Sequence, residues 1–225
     1  MTAVFVTGTG TDVGKTFIAC GVIQALRTSG RSVDALKPVV SGFDPAKADE
    51  SDPGRLLAAL GRTITAPEIE RMSPWRFAAP LSPDLAAGRE GRSIDFAAVR
   101  DFCRRAIAAR EGTLLIEGVG GTMVPLDPPR TVLDLMVDLS IPVILVAGSY
   151  LGSISHTLSA LDVLARRGLK VAALVVSETA GASVSLEDTV ASIGQFTGPT
   201  RIVPLPRLAD ASFDHPAFAR LAEQF

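Results

Sequence analysis

Of the 225 residues only two are cysteine, two histidine, one tryptophan and one tyrosine, and aromatic residues make up 5% of the chain. Two distant thiols cannot build a disulfide framework, and neither Cys20 nor Cys103 stands in a metal-ligand spacing. Both fall in segments predicted to be helical and read as reduced core residues of a cytoplasmic protein. Charge of one sign is lacking too: 22 Lys and Arg against 24 Asp and Glu give a net charge of −2. No broad basic field is present to hold nucleic acid or an anionic membrane. No window approaches the ~20 apolar residues of a membrane span, and the first residues enter an apolar run without a basic leader or signal core. Internal repeats, low-complexity tracts and domain linkers are missing as well. With 47% hydrophobic residues the chain is expected to form one domain over residues 1–225 around a sizeable core.

What is present begins at Val4-Phe5-Val6, an apolar run that feeds Thr7-Gly8-Thr9-Gly10-Thr11-Asp12-Val13-Gly14-Lys15-Thr16 and then a helical pattern. Strand, Gly-rich loop and helix in that order make a phosphate cradle. Backbone N–H groups and the positive helix end converge on a polyphosphate, Lys15 adds a point charge, and the Thr16 hydroxyl suits Mg²⁺. The usual phosphate loop sets four residues between its first Gly and the Gly-Lys-Thr. Here that count lands on Thr9, and Gly8 lies one residue further back, so the loop is one residue longer.

Short apolar runs recur at 4–6, 33–39, 113–116, 142–147, 171–176 and 201–205, with helical patterns between them. Pro142-Val143-Ile144-Leu145-Val146-Ala147 is apolar throughout rather than alternating, as a strand covered on both faces should be. The expected architecture is therefore three-layered α/β, a mostly parallel central sheet with helices on both faces. Ile18, Val22 and Leu26 form one core-facing helical stripe, and Ile154, Leu158, Leu161 and Ala165 are read as another. Ser185 with Asp188 reads as a capping box. The segments Phe43–Gly54 and Met72–Arg92 read as long connections near the sheet edge.

Ligands of open parallel sheets bind beyond the carboxyl ends of the strands, so the residues after each run carry the most information. Lys37 interrupts an apolar run that continues Pro38-Val39-Val40-Ser41-Gly42. An ammonium there either snorkels to water or faces an anion at the top of the sheet, and the phosphate loop nearby favours the anion. Glu117 ends the third run and is followed by Gly118-Val119-Gly120-Gly121. It occupies the usual place of the acidic Mg²⁺ partner in a phosphate-loop enzyme, or else caps a turn. Asp52, ahead of Leu56-Leu57, is either the N-cap of a helix or a second metal-side carboxylate.

Together the extended loop Gly8–Thr16, Lys37-Pro38-Val39-Val40-Ser41-Gly42, Glu117-Gly118-Val119-Gly120-Gly121 and Leu151-Gly152-Ser153-Ile154-Ser155-His156 resemble dethiobiotin synthetase, in that family's order and over nearly the whole chain. The resemblance implies a phosphate-loop NTPase fold. It also implies ATP-dependent closure of a cyclic urea from 7,8-diaminononanoate and CO₂ in biotin biosynthesis, through a carbamate and a carbamic-phosphoric anhydride, releasing ADP and phosphate. By the same resemblance Lys15 and Lys37 stabilise the reacting anions, and Thr16, Asp52 and Glu117 hold Mg²⁺. Asp12, Val13, Gly14, Lys15, Thr16, Phe17, Glu117, Gly118, Val119 and Gly120 surround ATP, with Ser177, Glu178, Leu205, Pro206 and Arg207 about the base. Thr11 and Ser41 stand on the carbamate side. Leu151, Gly152, Ser153 and Ser155 serve the substrate carboxylate of the other subunit in a homodimer. Asp12 stands where the family more often has Glu, Ser155 where Asn is frequent, and Ser177 where better-known members place an Asn on the adenine edge. Pro80-Leu81-Ser82-Pro83 resembles the family's loop beside the apolar chain of the substrate.

Other readings predict other residues. A partition or positioning ATPase carries a second lysine five residues before the loop lysine, where this chain has Gly10, and often ends in a basic amphipathic helix, whereas residues 217–225 hold one Arg against one Glu. A cobyrinate-type amide synthase needs a glutaminase unit supplying a thiol nucleophile, which here would have to come from a separate subunit. A module that only binds ATP has no evident need for both Lys37 and Glu117.

Overall fold

The computed structural model describes residues 2–208 and 212–225. Along the chain run β1 (Thr2–Gly8), α1 (Lys15–Thr28), β2 (Val33–Leu36), β3 (Val39–Ser41), α2 (Asp52–Ala59), α3 (Ala66–Met72), β4 (Trp75–Phe77), α4 (Pro83–Arg89) and α5 (Phe96–Ala109). They are followed by β5 (Thr113–Glu117), β6 (Pro125–Asp127), β7 (Arg130–Thr131), α6 (Val132–Leu139), β8 (Val143–Gly148), α7 (Ser153–Arg166), β9 (Val171–Ser177), α8 (Leu186–Gly194), β10 (Ile202–Leu205) and α9 (Pro216–Ala222). Six strands form one parallel sheet in the order β10-β9-β8-β1-β5-β2. Each of the six apolar runs supplies one of them.

Alternation along the strands divides the core in two. Val4 and Val6 of β1, Ile144 and Val146 of β8 and Val175 of β9 pack with α1, α2 and α9 on one face of the sheet. Ala3 and Phe5, Leu145, and Leu174 and Val176 pack with α5, α6 and α8 on the other. Every one of these strand residues is at most 5% exposed. Burying both faces removes both sets of side chains from water, at roughly 1.5–3 kcal/mol per large aliphatic. Ile18, Val22 and Leu26 are buried as their spacing predicts. Cys20 on α1 and Cys103 on α5 are buried and unpaired, and burial pushes each thiol up to about 12, so both are inert. Ser185 caps α8 by accepting from Asp188 N. Ala217, Phe218, Leu221 and Ala222 of α9 are buried in the core, on the α1 side. Among the described residues no helix is long and apolar enough to cross a membrane.

The close approach of α9 depends on Gly21. A Cβ there would fall 2.2 Å from two ring carbons of the buried Phe218. Gly21→Ala gains about 1 kcal/mol of helix propensity but forces the ring aside in a packed core, at ~1–3 kcal/mol or more. The expected result is net destabilisation, read as a lower urea midpoint; a raised midpoint would show that α9 shifts without penalty.

Several expectations change. The run 33–39 is not one strand: β2 ends at Leu36, and after Lys37-Pro38 the chain leaves the main sheet as β3, which pairs in parallel with β4 in a separate ribbon. Pro38 has no N–H to continue a ladder, and the Lys37 side chain is drawn to the end of β5. The segments 43–54 and 72–92 are not bare connections, for they carry a 3₁₀ turn at Pro45–Lys47, the start of α2, and β4 and α4. On α7 the buried face is Ser153, Thr157 and Leu164, one residue out of phase with the expected stripe; Ile154, Leu158 and Leu161 are half-buried and Ala165 is exposed. Small hydroxyl residues take the inner positions, and Thr157 satisfies its hydroxyl by donating to Ser153 O at 2.7 Å.

Candidate active site

The loop after β1 is tied to the sheet by Thr9 N, which donates to Val146 O, and by Thr122, whose N and Oγ1 both donate to Gly8 O. Gly121 lies directly against Gly10, leaving about 3.3 Å where a Cβ would stand. Asp12 at φ 57° and Gly14 at φ 95° curl the loop. Gly14 is the N-cap of α1 and supplies no side chain to its first N–H groups, which stay turned toward whatever fills the loop.

Lys15 is 7% exposed, and its Nζ donates to Gly10 O at 2.7 Å, closing the loop on itself. Burial, then the neighbouring Lys37, lowers its pKa to about 8. Lys37 is 2% exposed and spends its ammonium on Glu117 Oε1 at 2.7 Å, Gly118 O at 2.8 Å and Asp52 Oδ2 at 3.0 Å. Burial alone would lower its pKa, but Glu117 and Asp52 outweigh it, so Lys37 stays charged. Asp52 is held below the usual carboxylate range because Lys37 and the Thr16 hydroxyl overcome its partial burial. Glu117, 1% exposed, is raised by burial despite Lys37.

Thr16 Oγ1 lies 2.8 Å from both Asp52 Oδ1 and Glu117 Oε1. One hydroxyl hydrogen serves only one of them, and Glu117 Oε2 is buried without a partner. Three oxygen-bearing groups thus converge with acceptor capacity in excess, the donor set of a hard divalent cation. Among the described residues no group of three or more His, Cys, Asp or Glu forms a metal cage, so most of such an ion's coordination falls to phosphate and water.

These residues open into a cleft of about 540 Å³ lined also by Thr11, Asp12, Phe17, Ser41, Val119 and Gly120, with Pro80–Pro83 along one wall. A second cavity of about 410 Å³ shares Asp12, Gly14 and Phe17 with it and is bounded by Val13, Ser177, Glu178, Leu205, Pro206 and Arg207. Ser177 Oγ approaches to 3.3 Å of where a Cβ on Gly14 would stand. Glu178 reaches across to accept from Arg207 N at 2.8 Å, so its carboxylate anchors that loop.

The structure therefore brings together the sequence-chosen residues of the phosphate loop, β3, β5, β9 and β10. It does not bring Leu151, Gly152, Ser153 and Ser155 to the cleft. They open α7 after β8, where Leu151 is 80% exposed, Gly152 and Ser155 are exposed and Ser153 is buried. Asp52 is not the N-cap of α2: Ser51 is, accepting from Gly54 N, which leaves Asp52 in the first turn free to face Thr16 and Lys37. Val40, Arg55 and Val124 line the cleft without having been singled out by sequence. For Arg55 a signal existed, because it follows Asp52 by three residues and so shares its helix face.

A parallel sheet with a phosphate loop at the end of β1, and with lysine and carboxylates at the ends of its neighbours, defines a phosphate-loop NTPase of the three-layer α/β kind. Solved structures agree: MinD complexed with Mg-ADP from Pyrococcus horikoshii matches with a TM-score of 0.59 at 14% identity over 99% of this chain and 95% of that one. The cell division ATPase MinD of Pyrococcus furiosus gives 0.57 at 15% identity over 100% and 98%. At such identities the likeness is one of fold. The AAA domain family matches residues 2–214. The ATP-dependent dethiobiotin synthetase BioD of Caulobacter vibrioides is 49% identical over 208 residues, 92% of this chain and 93% of that protein. That of Phenylobacterium zucineum is 46% identical over 215 residues, 95% and 92%. The chain belongs to the ATP-dependent dethiobiotin synthetase family, ligases that form C–N bonds.

Proposed function

We propose that the chain, acting as one catalytic domain, converts 7,8-diaminononanoate, CO₂ and ATP to dethiobiotin, ADP and phosphate. The observation that carries the reading is the cluster of Lys15, Thr16, Lys37 and Asp52 lining one cleft at the phosphate loop, with the buried Glu117 bonded to both Thr16 and Lys37. One substrate amine adds to CO₂ and loses a proton to give a carbamate. A carbamate oxygen attacks the γ-phosphorus, the bond to the ADP oxygen breaks, and a carbamic-phosphoric anhydride results. The second amine then attacks the carbamate carbon and gives up a proton, and phosphate leaves with the oxygen that had joined it, closing the urea. No protein nucleophile is required, so the chain's task is positioning and charge stabilisation. Lys15 meets the transferring phosphoryl group and Lys37 the carbamate, with Thr11 and Ser41 donating hydrogen bonds on the carbamate side. Thr16, Asp52 and Glu117 would hold Mg²⁺, which supplies charge neutralisation to the polyphosphate when bound.

In a homodimer the exposed backbone at Leu151–Ser155 of one protomer would receive the substrate carboxylate of its partner. The separation of this segment from its own cleft and the exposure of Leu151 support that arrangement. Phosphate release with Mg²⁺-ATP and bicarbonate, with and without the diamine, tests the reading. Diamine-dependent release with a cyclic urea seen by mass spectrometry is expected; diamine-independent hydrolysis without product would move the reading to a positioning-type ATPase.

Two further results follow from the same placement. Nucleotide phosphates surrounding Lys15 raise its pKa again, so binding takes up a proton when the free enzyme has lost it. Calorimetry at pH 8.5 in two buffers of different ionisation enthalpy should show uptake of well over half a proton, by the distance of that pH from about 8. At pH 7 uptake should be near zero, and it should vanish in Lys15→Gln; equal uptake in that variant would contradict the assignment. On the base side, the hydroxyl of Ser177 makes fewer edge contacts than an amide. Ser177→Asn should sharpen the preference for ATP over CTP and GTP about tenfold in kcat/KM, whereas unchanged ratios would remove Ser177 from base selection.

A further inference from the structure

α2 brings a third cation to the cleft. Its first-turn Asp52 is fixed by Thr16 and Lys37, and Leu56 and Leu57 are fully buried, so the helix backbone is held from both sides. Arg55, three residues after Asp52, lies on the same face, lines the cleft and is exposed. Its charge reaches Cys20, one turn beyond Thr16 on α1, which sets it alongside the phosphate-loop helix.

The three cations of the cleft are not equally committed. Lys37 directs its ammonium at three acceptors, two of them carboxylates. Lys15 is folded onto the Gly10 carbonyl. The Arg55 side chain has no hydrogen-bond or ion-pair partner among the described residues, and its guanidinium offers five donors in a planar fork suited to two oxygens of one phosphate. A nucleoside triphosphate brings about four negative charges into a cleft where Asp52 and Glu117 already oppose Lys37. Uncommitted positive charge there serves the polyphosphate.

We infer that Arg55 is a phosphate-binding residue of this cleft, meeting the polyphosphate of the bound nucleotide from the α2 side. The inference rests on the ATP-dependent reading above. It asks nothing of the diamine, so a wild-type enzyme that bound ATP but made no cyclic urea would overturn that reading and leave this one standing. Exposure and screening keep the contact modest, on the order of tenfold in affinity, and dependent on salt.

The test is calorimetric titration of the wild type, Arg55→Ala and Arg55→Lys with ATP, AMP and inorganic tripolyphosphate, each at two salt concentrations. For Arg55→Ala, affinity for ATP and tripolyphosphate is expected to fall about tenfold, that for AMP less than twofold, with a shallower salt dependence. Arg55→Lys, which keeps the charge without the fork, should recover part of the loss. A loss shared equally by ATP and AMP would mark a structural role of α2, and unchanged ATP affinity would leave Arg55 as a solvated surface charge; either result overturns the inference.

Discussion

Lys37→Gln is expected to lower diamine-dependent phosphate release and dethiobiotin formation by about 10³-fold in kcat, with the KM for ATP changed little. On the proposed reaction Lys37 is the cation that meets the reacting anions, and removing one preorganised electrostatic contact from a water-poor site costs about 10²–10³ in rate. Here the loss falls at the upper end, because Gln also leaves Asp52 and Glu117 facing one another without the ammonium that separates them. The nucleotide's own cradle, built from Gly14, Lys15 and the start of α1, is untouched, which is why binding of ATP should survive. Single-turnover kinetics with the diamine, beside ATP titration of the variant, separate the two quantities. A kcat within tenfold of the wild type would take Lys37 out of the chemistry.

The second large effect is on Glu117, where stability and activity are joined. Glu117→Ala removes the nearer carboxylate from a Lys37 that is 2% exposed, leaving a buried ammonium with Asp52 and the Gly118 carbonyl. Loss of one member of a buried pair costs about 3–5 kcal/mol, a large fraction of the stability of a domain of this size. Glu117→Gln keeps the shape and an acceptor for Lys37, so it should lose far less stability. It should still lose about 10²-fold in activity and demand more Mg²⁺ for half-maximal rate, since the carboxylate charge beside Thr16 is gone. Urea midpoints of the two variants with Mg²⁺ titration of the second give both readings. Equal stability of Glu117→Ala and the wild type would mean that Lys37 leaves the interior at no penalty.

Much of this arrangement was legible in the chain. The loop ending Gly14-Lys15-Thr16 announces its own function because its glycines, lysine and hydroxyl each have one mechanical reason to stand there. The six apolar runs mapped onto six strands because a sheet covered on both faces demands uninterrupted hydrophobicity. Lys37 stood out as a charge where burial forbids one without a partner and Glu117 as the carboxylate closing an apolar run, and the two are paired. What was not legible depended on phase and on long-range contacts. Pro38 ends β2 early because the neighbouring Lys37 is drawn to β5, a residue 80 positions away. The inner face of α7 is read only in part from hydrophobicity: Ile154 and Leu161 do pack against the core, but serine and threonine take the most buried positions. Asp52 could be read as a cap or as a metal-side carboxylate until Ser51, its neighbour, is seen to be the cap. Arg55 carried a signal in its spacing from Asp52 that went unused, and only coordinates show that Glu178, expected about the base, also anchors the Arg207 loop.

On the proposed reaction, phosphate is transferred to an oxygen that came from CO₂ and leaves with it when the urea closes. The measurement that tests this most directly is the reaction of the wild-type enzyme with ¹⁸O-labelled bicarbonate, ATP and the diamine, followed by mass spectrometry of the released phosphate and the cyclic product. One labelled oxygen in phosphate and one in the urea carbonyl is the predicted result. Unlabelled phosphate released in step with product would contradict phosphorylation of the carbamate, and with it the roles assigned to Lys15 and Lys37.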